Sequence, residues 1–405
     1  MKHVMFSHRE RHHEIQKIDK QVALSFFLIA YFAMYCYALS GSQRDSWGYS
    51  ELYVNYSGGF IRRGLTGEIL LNFFKITGID PYFLVVTTNF VLLVALAVLY
   101  INSLWGLNFS SFGFRFLAYS PALLLAPLLS GTFTRKDWIL VLLIFLHRYF
   151  LEKNPNIREF NFKSTLYLCT LFFALSITLL IHEISVLILP IHMYLADKCL
   201  NNSRRLVKNI ALVTIVISQT LLLVAVGYFH GTTEQLKTIK SVVPKELRVN
   251  DSVLETASWS IHQNLSLISQ ILQNPIESII YLLCFILGPI ALYVYICRQK
   301  FVMGYSQSLL ILPLFILFAL GSDWGRWLVL VSFAIVAIML PLTTDVKKNV
   351  DFHFHRSSYI QKLKTASVNF GFFAFMLLWK IPVCCATDIS SLLSPIGFHI
   401  YNMLR

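Results

Sequence analysis

A chain of 405 residues with 56% hydrophobic and only 14% charged residues is too apolar for a soluble globular domain, in which about 25% of residues carry charge. A mean hydropathy of +0.62 agrees with that exclusion. The formal net charge of +13 does not point to nucleic acid, because membrane proteins gather Lys and Arg in cytoplasmic loops for topological reasons.

The seven Cys lie in or beside apolar runs and form no spaced pairs. The adjacent Cys384 and Cys385 suit neither a zinc ribbon nor an ordinary disulfide, so no metal and no cofactor are expected. Residues 1–20 are polar and basic, and the run after them is long enough to span, so no cleavable signal peptide is expected.

A spanning helix needs about 20 mostly apolar residues. In chain order the candidate windows are 21–40, 82–101, 115–132, 137–151, 164–181, 184–197, 208–229, 276–297, 304–321, 326–343 and 366–385. The expected fold is therefore all-α: a polytopic transmembrane helical bundle of about 11 helices (10–12), forming one integral-membrane domain over 1–405. With residues 1–20 as a cytoplasmic tail, alternation leaves most of the 34 Lys and Arg in inside segments, including a cytoplasmic loop over 344–365. The first loop (41–81) and the long 231–275 loop then fall outside. So do three polar junctions: Arg135-Lys136-Asp137, His182-Glu183 and Asp323-Trp324-Gly325-Arg326.

Charged groups at membrane-helix junctions are costly and mark a pathway, a site or a mutual pair. In the first outer loop, Ser57-Gly58-Gly59-Phe60-Ile61-Arg62-Arg63-Gly64 leads into an amphipathic helix over Leu65 to Ile76. Glycines there allow backbone N–H groups to approach an anion, and Arg62 and Arg63 can grip a phosphate bidentately. Alternatively, both arginines snorkel to lipid headgroups. Asp45 and Glu51 are candidate general bases, or solvated loop charges with Arg44 as an ion-pair partner.

His182-Glu183 has no polar buffer on either side. Such a pair is catalytic, an interhelical hydrogen-bond pair, or part of a proton path. Val186 excludes the HExxH zinc pattern. Asp137 and Asp323 each open a following helix, where a carboxylate serves as an N-cap. That leaves Arg135, Lys136 and Arg326 as cations on an outer face, against the positive-inside bias, and anion binding is the reading they favour. Trp324 fits an interfacial aromatic belt or a sugar-stacking surface. Val253 to Leu272 reads as an amphipathic helix that roofs the outer face.

The whole pattern resembles bacterial O-antigen or capsular polysaccharide polymerases of the Wzy type, and more broadly integral-membrane glycosyltransferases of the GT-C class. The resemblance lies in length, helix number, basic pI, a large late outer loop and outward arginines, rather than in a registered motif. It implies an enzyme of the bacterial inner membrane, active on its outer (periplasmic) face, that acts on a polyprenyl-pyrophosphate-linked glycan. Arg62, Arg63, Arg135 and Arg326 would hold the pyrophosphate, with Lys136, Asp323 and Trp324 beside them. His182 or Glu183 would activate the acceptor hydroxyl, and the acid of the first outer loop would be Asp45 or Glu51. The double-acid motif common in GT-C enzymes is missing. Implied partners are membrane lipid and a flippase and chain-length regulator of the same pathway. A transferase that adds a single sugar is one alternative, and a lipid-linked oligosaccharide flippase is another. A flippase calls for charges at mid-membrane, whereas these lie at helix ends. A membrane O-acyltransferase would use a cytoplasmic histidine such as His147.

Overall fold

The computed structural model describes residues 2–341 apart from 45, 106, 108–110, 155–156, 158, 201–202, 230, 260, 299–306 and 308. Beyond 341 it describes only 376, 378–383, 386, 388–395 and 399. Among the described residues the architecture is helical, with no strand beyond a single bridge between Trp379 and Leu393. Asp45, the 344–365 loop and most of the 366–385 window lie outside the described residues.

The helices that position the site are α1 (Lys2–Tyr37), α2 (Gly64–Thr77), α3 (Pro81–Trp105), α4 (Asp137–Lys153), α5 (Phe162–Ile181), α6 (Ser185–Cys199) and α7 (Arg205–Tyr228). They are followed by α8 (Thr233–Val242), α9 (Ile261–Gln273), α10 (Pro275–Phe285), α11 (Leu312–Leu320) and α12 (Trp324–Met339). Five stretches are helical, long and apolar enough to cross a membrane: Lys17–Ser42, Pro81–Trp105, Phe162–Ile181, Arg205–Tyr228 and Pro275–Arg298. Starts follow local chemistry. Asp80 accepts from the Tyr82 N–H at the start of α3 (2.9 Å), and Asn161 and Ser164 form a reciprocal capping box on α5. On α7 the exposed residues Leu206, Ile210, Val213, Ile217, Leu221 and Val224 recur at helical spacing, so its apolar stripe faces outward rather than into a core.

Several windows take a different form from the one expected. Residues 115–132 are not one helix: Ser111–Ala118 ends before Pro121, and only Ala126–Leu129 resumes. Proline lacks the N–H and pushes the preceding residue out of the helical region. The irregular backbone survives because it is buried in protein, where Tyr31 donates to the Leu124 carbonyl (2.7 Å) and Tyr100 to that of Leu117 (3.0 Å). Residues 2–20 are helical and continue into the first span within α1. Residues 253–272 break into Asp251–Glu255, a 3-10 turn at Thr256–Ser258, and α9. Residues 379–383 are not helical.

The core centres on α4 and α12. Helix α4 packs against α3, α6 and α12, and α10 and α11 also pack against α12. Every residue of α12 from Gly325 to Met339 is buried, which is why its sequence is apolar on all faces. Gly325 is required by close approach, since a Cβ there would lie 1.6 Å from the Pro382 carbonyl oxygen. The far end of α12 is closed by Arg148 of α4, a fully buried guanidinium. It donates to the carbonyls of Ala337 (2.9 Å), Leu340 (2.6 Å) and Pro341 (2.5 Å), and pairs with Glu152 at 3.2 Å. The Ala337 carbonyl is one of the last of α12, which a helix end leaves without partners, and those of Leu340 and Pro341 follow directly beyond that end.

Arg148→Met keeps the volume and removes the donors. Detergent-solubilised protein should lose about 2–4 kcal/mol in thermal unfolding, with Arg148→Lys intermediate. An unchanged midpoint for Arg148→Met would show that water or lipid satisfies these carbonyls instead.

Candidate functional site

Four helix junctions meet at one place, each contributing charge. After α1 the chain makes a short helix, Trp47–Ser50, whose N-cap Ser46 accepts from the Tyr49 N–H (3.3 Å). A 3-10 turn, Glu51–Tyr53, follows directly and carries Glu51 inward until the residue is only 3% exposed. The turn is fastened by a buried hydrogen bond between the Tyr49 and Tyr53 hydroxyls (2.5 Å).

Three cations surround the Glu51 carboxylate. The Lys136 ammonium lies at 2.9 Å, Arg135 Nη1 at 3.2 Å and Arg63 Nη1 at 3.3 Å. Burial by itself would raise the Glu51 pKa. Lys136, Arg326, Arg63 and Arg135 overcome that and hold it well below the ordinary carboxylate range. Burial also pulls the Lys136 ammonium down, against the attraction of Glu51.

Arg63 links this carboxylate to a second one. Its Nε donates to Glu183 Oε2 (2.7 Å) and its Nη2 to Oε1, a two-pronged pair between the first loop and the α5–α6 turn. Burial would raise Glu183 as well, yet Arg63 and His182 hold it well below its usual range. Arg63 stands in the left-handed region (φ 65°) immediately before α2, a conformation that disfavours a side chain and persists here under the two ion pairs.

At the α5–α6 turn, His182 leaves the helix in an extended conformation, with its N–H still bonded to the Thr178 carbonyl (2.8 Å). Its ring is buried. Nε2 lies 3.3 Å from Asp137 Oδ1 and 3.4 Å from Arg326 Nη2. Nδ1 lies 3.6 Å from Glu183 Oε2 and makes no hydrogen bond. Arg326 closes the ring of charges, with Nε and Nη2 on the two Asp137 oxygens (2.8 and 2.7 Å) and Nη1 on Asp323.

The expected outward cations Arg62, Arg63, Arg135, Lys136 and Arg326 therefore converge, together with His182, Glu183, Glu51 and Asp323. The capping role expected of the two aspartates is corrected. The Asp323 side chain caps no backbone N–H, and Asp137 is the central bridge between Arg326 and His182. Asp137 was legible as a charge beside Arg135-Lys136, but not as a partner of His182. Arg44 pairs with Asp80 and lies over the Tyr82 ring (4.4 Å). Trp324 is spent on packing: its indole donates to the Phe318 carbonyl (3.1 Å), and its ring meets Tyr281 and Phe318.

Inside α2, Gly67 touches backbone, since a Cβ there would come within 2.1 Å of the Val54 carbonyl oxygen, and its lack of a side chain serves helix-to-loop packing.

Arg62 differs from its neighbours. Its Nη2 donates to the Trp259 carbonyl (3.3 Å), Glu183 is no nearer than 3.9 Å, and its buried Nε makes no hydrogen bond. Burial pulls its guanidinium below the usual value. The 231–275 segment meets Arg62 through the Trp259 carbonyl and the first loop through the Asn250 N–H, which donates to Ser50 Oγ (3.0 Å), while the Arg62 N–H donates to the Phe229 carbonyl (3.0 Å) just before that segment.

Comparison with family models, with curated proteins and with solved structures found no match.

Glu51 and Glu183 have folded pKa values below those of the unfolded chain, near 4.3. Their contribution to stability is therefore complete above that value and is lost as pH falls through it towards the folded values. Thermal stability should hold steady from about pH 8 to 5 and drop in more acid solution. Glu51→Gln should remove about 3–5 kcal/mol at neutral pH by stranding Lys136 and Arg135. Adding Lys136→Met should restore part of it, and no recovery in the double variant would contradict the pairing.

Proposed function

We propose that this chain is a membrane glycosyltransferase that works from a polyprenyl-pyrophosphate-linked sugar or oligosaccharide on the outer face, joining repeat units of a surface polysaccharide. Placement of Lys and Arg in the inside segments supports the outward orientation. The observation that carries the reading is Arg62, a half-buried guanidinium with an unpartnered Nε beside a cluster that is otherwise paired. Arg62, Arg63, Arg135, Lys136 and Arg326 face Glu51, Asp137, Glu183 and Asp323, which leaves one positive charge in excess. An anionic ligand at Arg62 balances it.

The chemistry needs stabilisation of a departing phosphate and a proton acceptor near the attacking hydroxyl. In this reading the acceptor oxygen bonds to the anomeric carbon. The bond from that carbon to the pyrophosphate oxygen breaks, and the pyrophosphate leaves with the electron pair towards Arg62. The hydroxyl proton passes to His182. Glu183 and Glu51 are poor acceptors, because protonating either would break its ion pairs with Arg63 and Lys136. In the tautomer that donates from Nε2 to Asp137 and gives up the Arg326 hydrogen bond, Nδ1 carries the lone pair that a general base requires, with Glu183 Oε2 3.6 Å away. Glu51 and Asp137 act as positioning residues for the cations around them.

A transferase that adds single sugars from a polyprenyl monophosphate is the second reading. The excess of a single charge favours it, since a phosphodiester carries one negative charge where a substituted pyrophosphate carries two.

Arg62→Ala is the cleanest test, because Arg62 holds no carboxylate at close range. In proteoliposomes with a lipid-linked donor, kcat should fall about 100-fold or more, while Arg62→Lys keeps part of the rate and melting is unchanged. Full activity in Arg62→Ala would remove the assignment. Offering pyrophosphate- and monophosphate-linked donors side by side separates the two readings.

A further inference from the structure

Away from the charge cluster, three buried side chains form a second polar line through the bundle. His147 of α4 faces His192 of α6 with 2.9 Å between their Nδ1 atoms, and His147 Nε2 lies 2.5 Å from the Tyr167 hydroxyl of α5. The two imidazole planes lie within 16° of each other, with centroids 5.1 Å apart. At 2.9 Å the nitrogens are closer than stacked ring faces come. The rings therefore meet edge to edge through one N–H···N hydrogen bond, in which either can donate.

Sugar transfer does not use these groups, yet their place in the fold ties them to its site. Asp137 and His147 stand ten residues apart on α4, and His182 and His192 stand ten apart where α6 begins and within it. Asp137 meets His182 at 3.3 Å, and His147 meets His192. Helices α4 and α6 thus run in the same direction and share two polar rungs in matched register. Ten residues of helix rise about 15 Å. Tyr167 extends the second rung to α5, whose C-terminal end leads directly into His182. The helices that bring Asp137 and His182 together are therefore the ones that Tyr167, His147 and His192 join.

Register is what such a rung supplies. Apolar contacts between helices are non-directional, and a slip of one residue would move Asp137 by about 1.5 Å, enough to part it from His182. The same slip would strand the buried nitrogens of the second rung, which opposes it. We infer that His147 and His192, with Tyr167, are positioning residues: they lock α4 in register with α5 and α6 and so hold the His182 ring on Asp137. The catalytic consequence rests on the reading of His182 as the general base. The inference goes beyond that reading by assigning a role to a polar line about 15 Å from the charge cluster.

Tyr167→Phe, His147→Leu and His192→Leu together replace every partner in the line by an apolar group, an exchange that leaves stability nearly unchanged. The test records two properties of the full-length protein in lipid nanodiscs. One is the nitrogen spectrum of isotopically labelled histidine, with the His182 signals identified by their loss in His182→Gln. The other is transfer from a lipid-linked donor. In the triple variant the His182 signals should move, and kcat should fall about tenfold or more at unchanged KM. His192→Leu alone should move the signals in the same direction. His192→Asn keeps an amide near the place of Nδ1, so it should retain part of the rate and signals close to those of the wild type. Unmoved His182 signals in the triple variant and in His192→Leu, or a fall in kcat without their movement, would overturn the positioning role. Signals that move in a protein that transfers no sugar would remove the transferase reading and leave the register role standing.

Discussion

Glu51 is shared by Lys136, Arg135 and Arg63 in a place almost closed to water, and the arrangement of the bundle's charged end depends on that shared carboxylate. A buried cation is tolerable only when paired and hydrogen-bonded. Five cations brought to one spot would repel one another and unmake the junction, so four carboxylates are interleaved with them. Each acid comes from a different local context: a 3-10 turn, the first residue of α4, the α5–α6 turn and the residue before α12. The pairs thus tie together elements far apart in sequence, and the ends of α1, α4, α5 and α12 are fixed by charge where their middles are fixed by apolar packing.

Helix α12 shows the same logic at its opposite end. It is buried on all sides, so its terminal carbonyls cannot turn to water. Arg148 reaches across from α4 to meet them. One helix is thus held between two arginines, Arg326 at its start and Arg148 beyond its finish, and α4 supplies a partner for each: the Asp137 carboxylate for Arg326, and the Arg148 side chain itself for the carbonyls. The registry of α4 against α12 is set by these polar contacts, while dispersion and burial between them supply the bulk of the attraction.

Much of the site was legible because charged residues stand out in a chain this apolar. His182-Glu183, Arg135-Lys136-Asp137 and Asp323 with Arg326 are visible as costly interruptions, and all of them meet in the structure. Their roles were less legible. Asp137 and Asp323 stand where capping acids stand, and only the position of Arg326 reveals them as bridging groups. Gly67 within α2 could not be read from the sequence as a close-packing glycine, because the Val54 carbonyl that fills its side-chain space belongs to the preceding loop. Helix windows were legible where apolar runs were uninterrupted, and were misjudged at 115–132, where Pro121 breaks a run that hydropathy alone would join.

Composition and hydropathy by themselves determined the class: an all-helical chain with several membrane-length helices and its unusual charges confined to helix junctions. Those properties are local sums along the chain, and local sums can be read without coordinates. Tertiary structure alone decided which charge faces which and that Arg62 is left with an unpartnered nitrogen. Pairs such as Arg63 with Glu183 and Arg326 with Asp137 join residues more than a hundred positions apart. Their partners depend on which helix ends meet, and the packing of apolar faces settles that before any charge finds its mate.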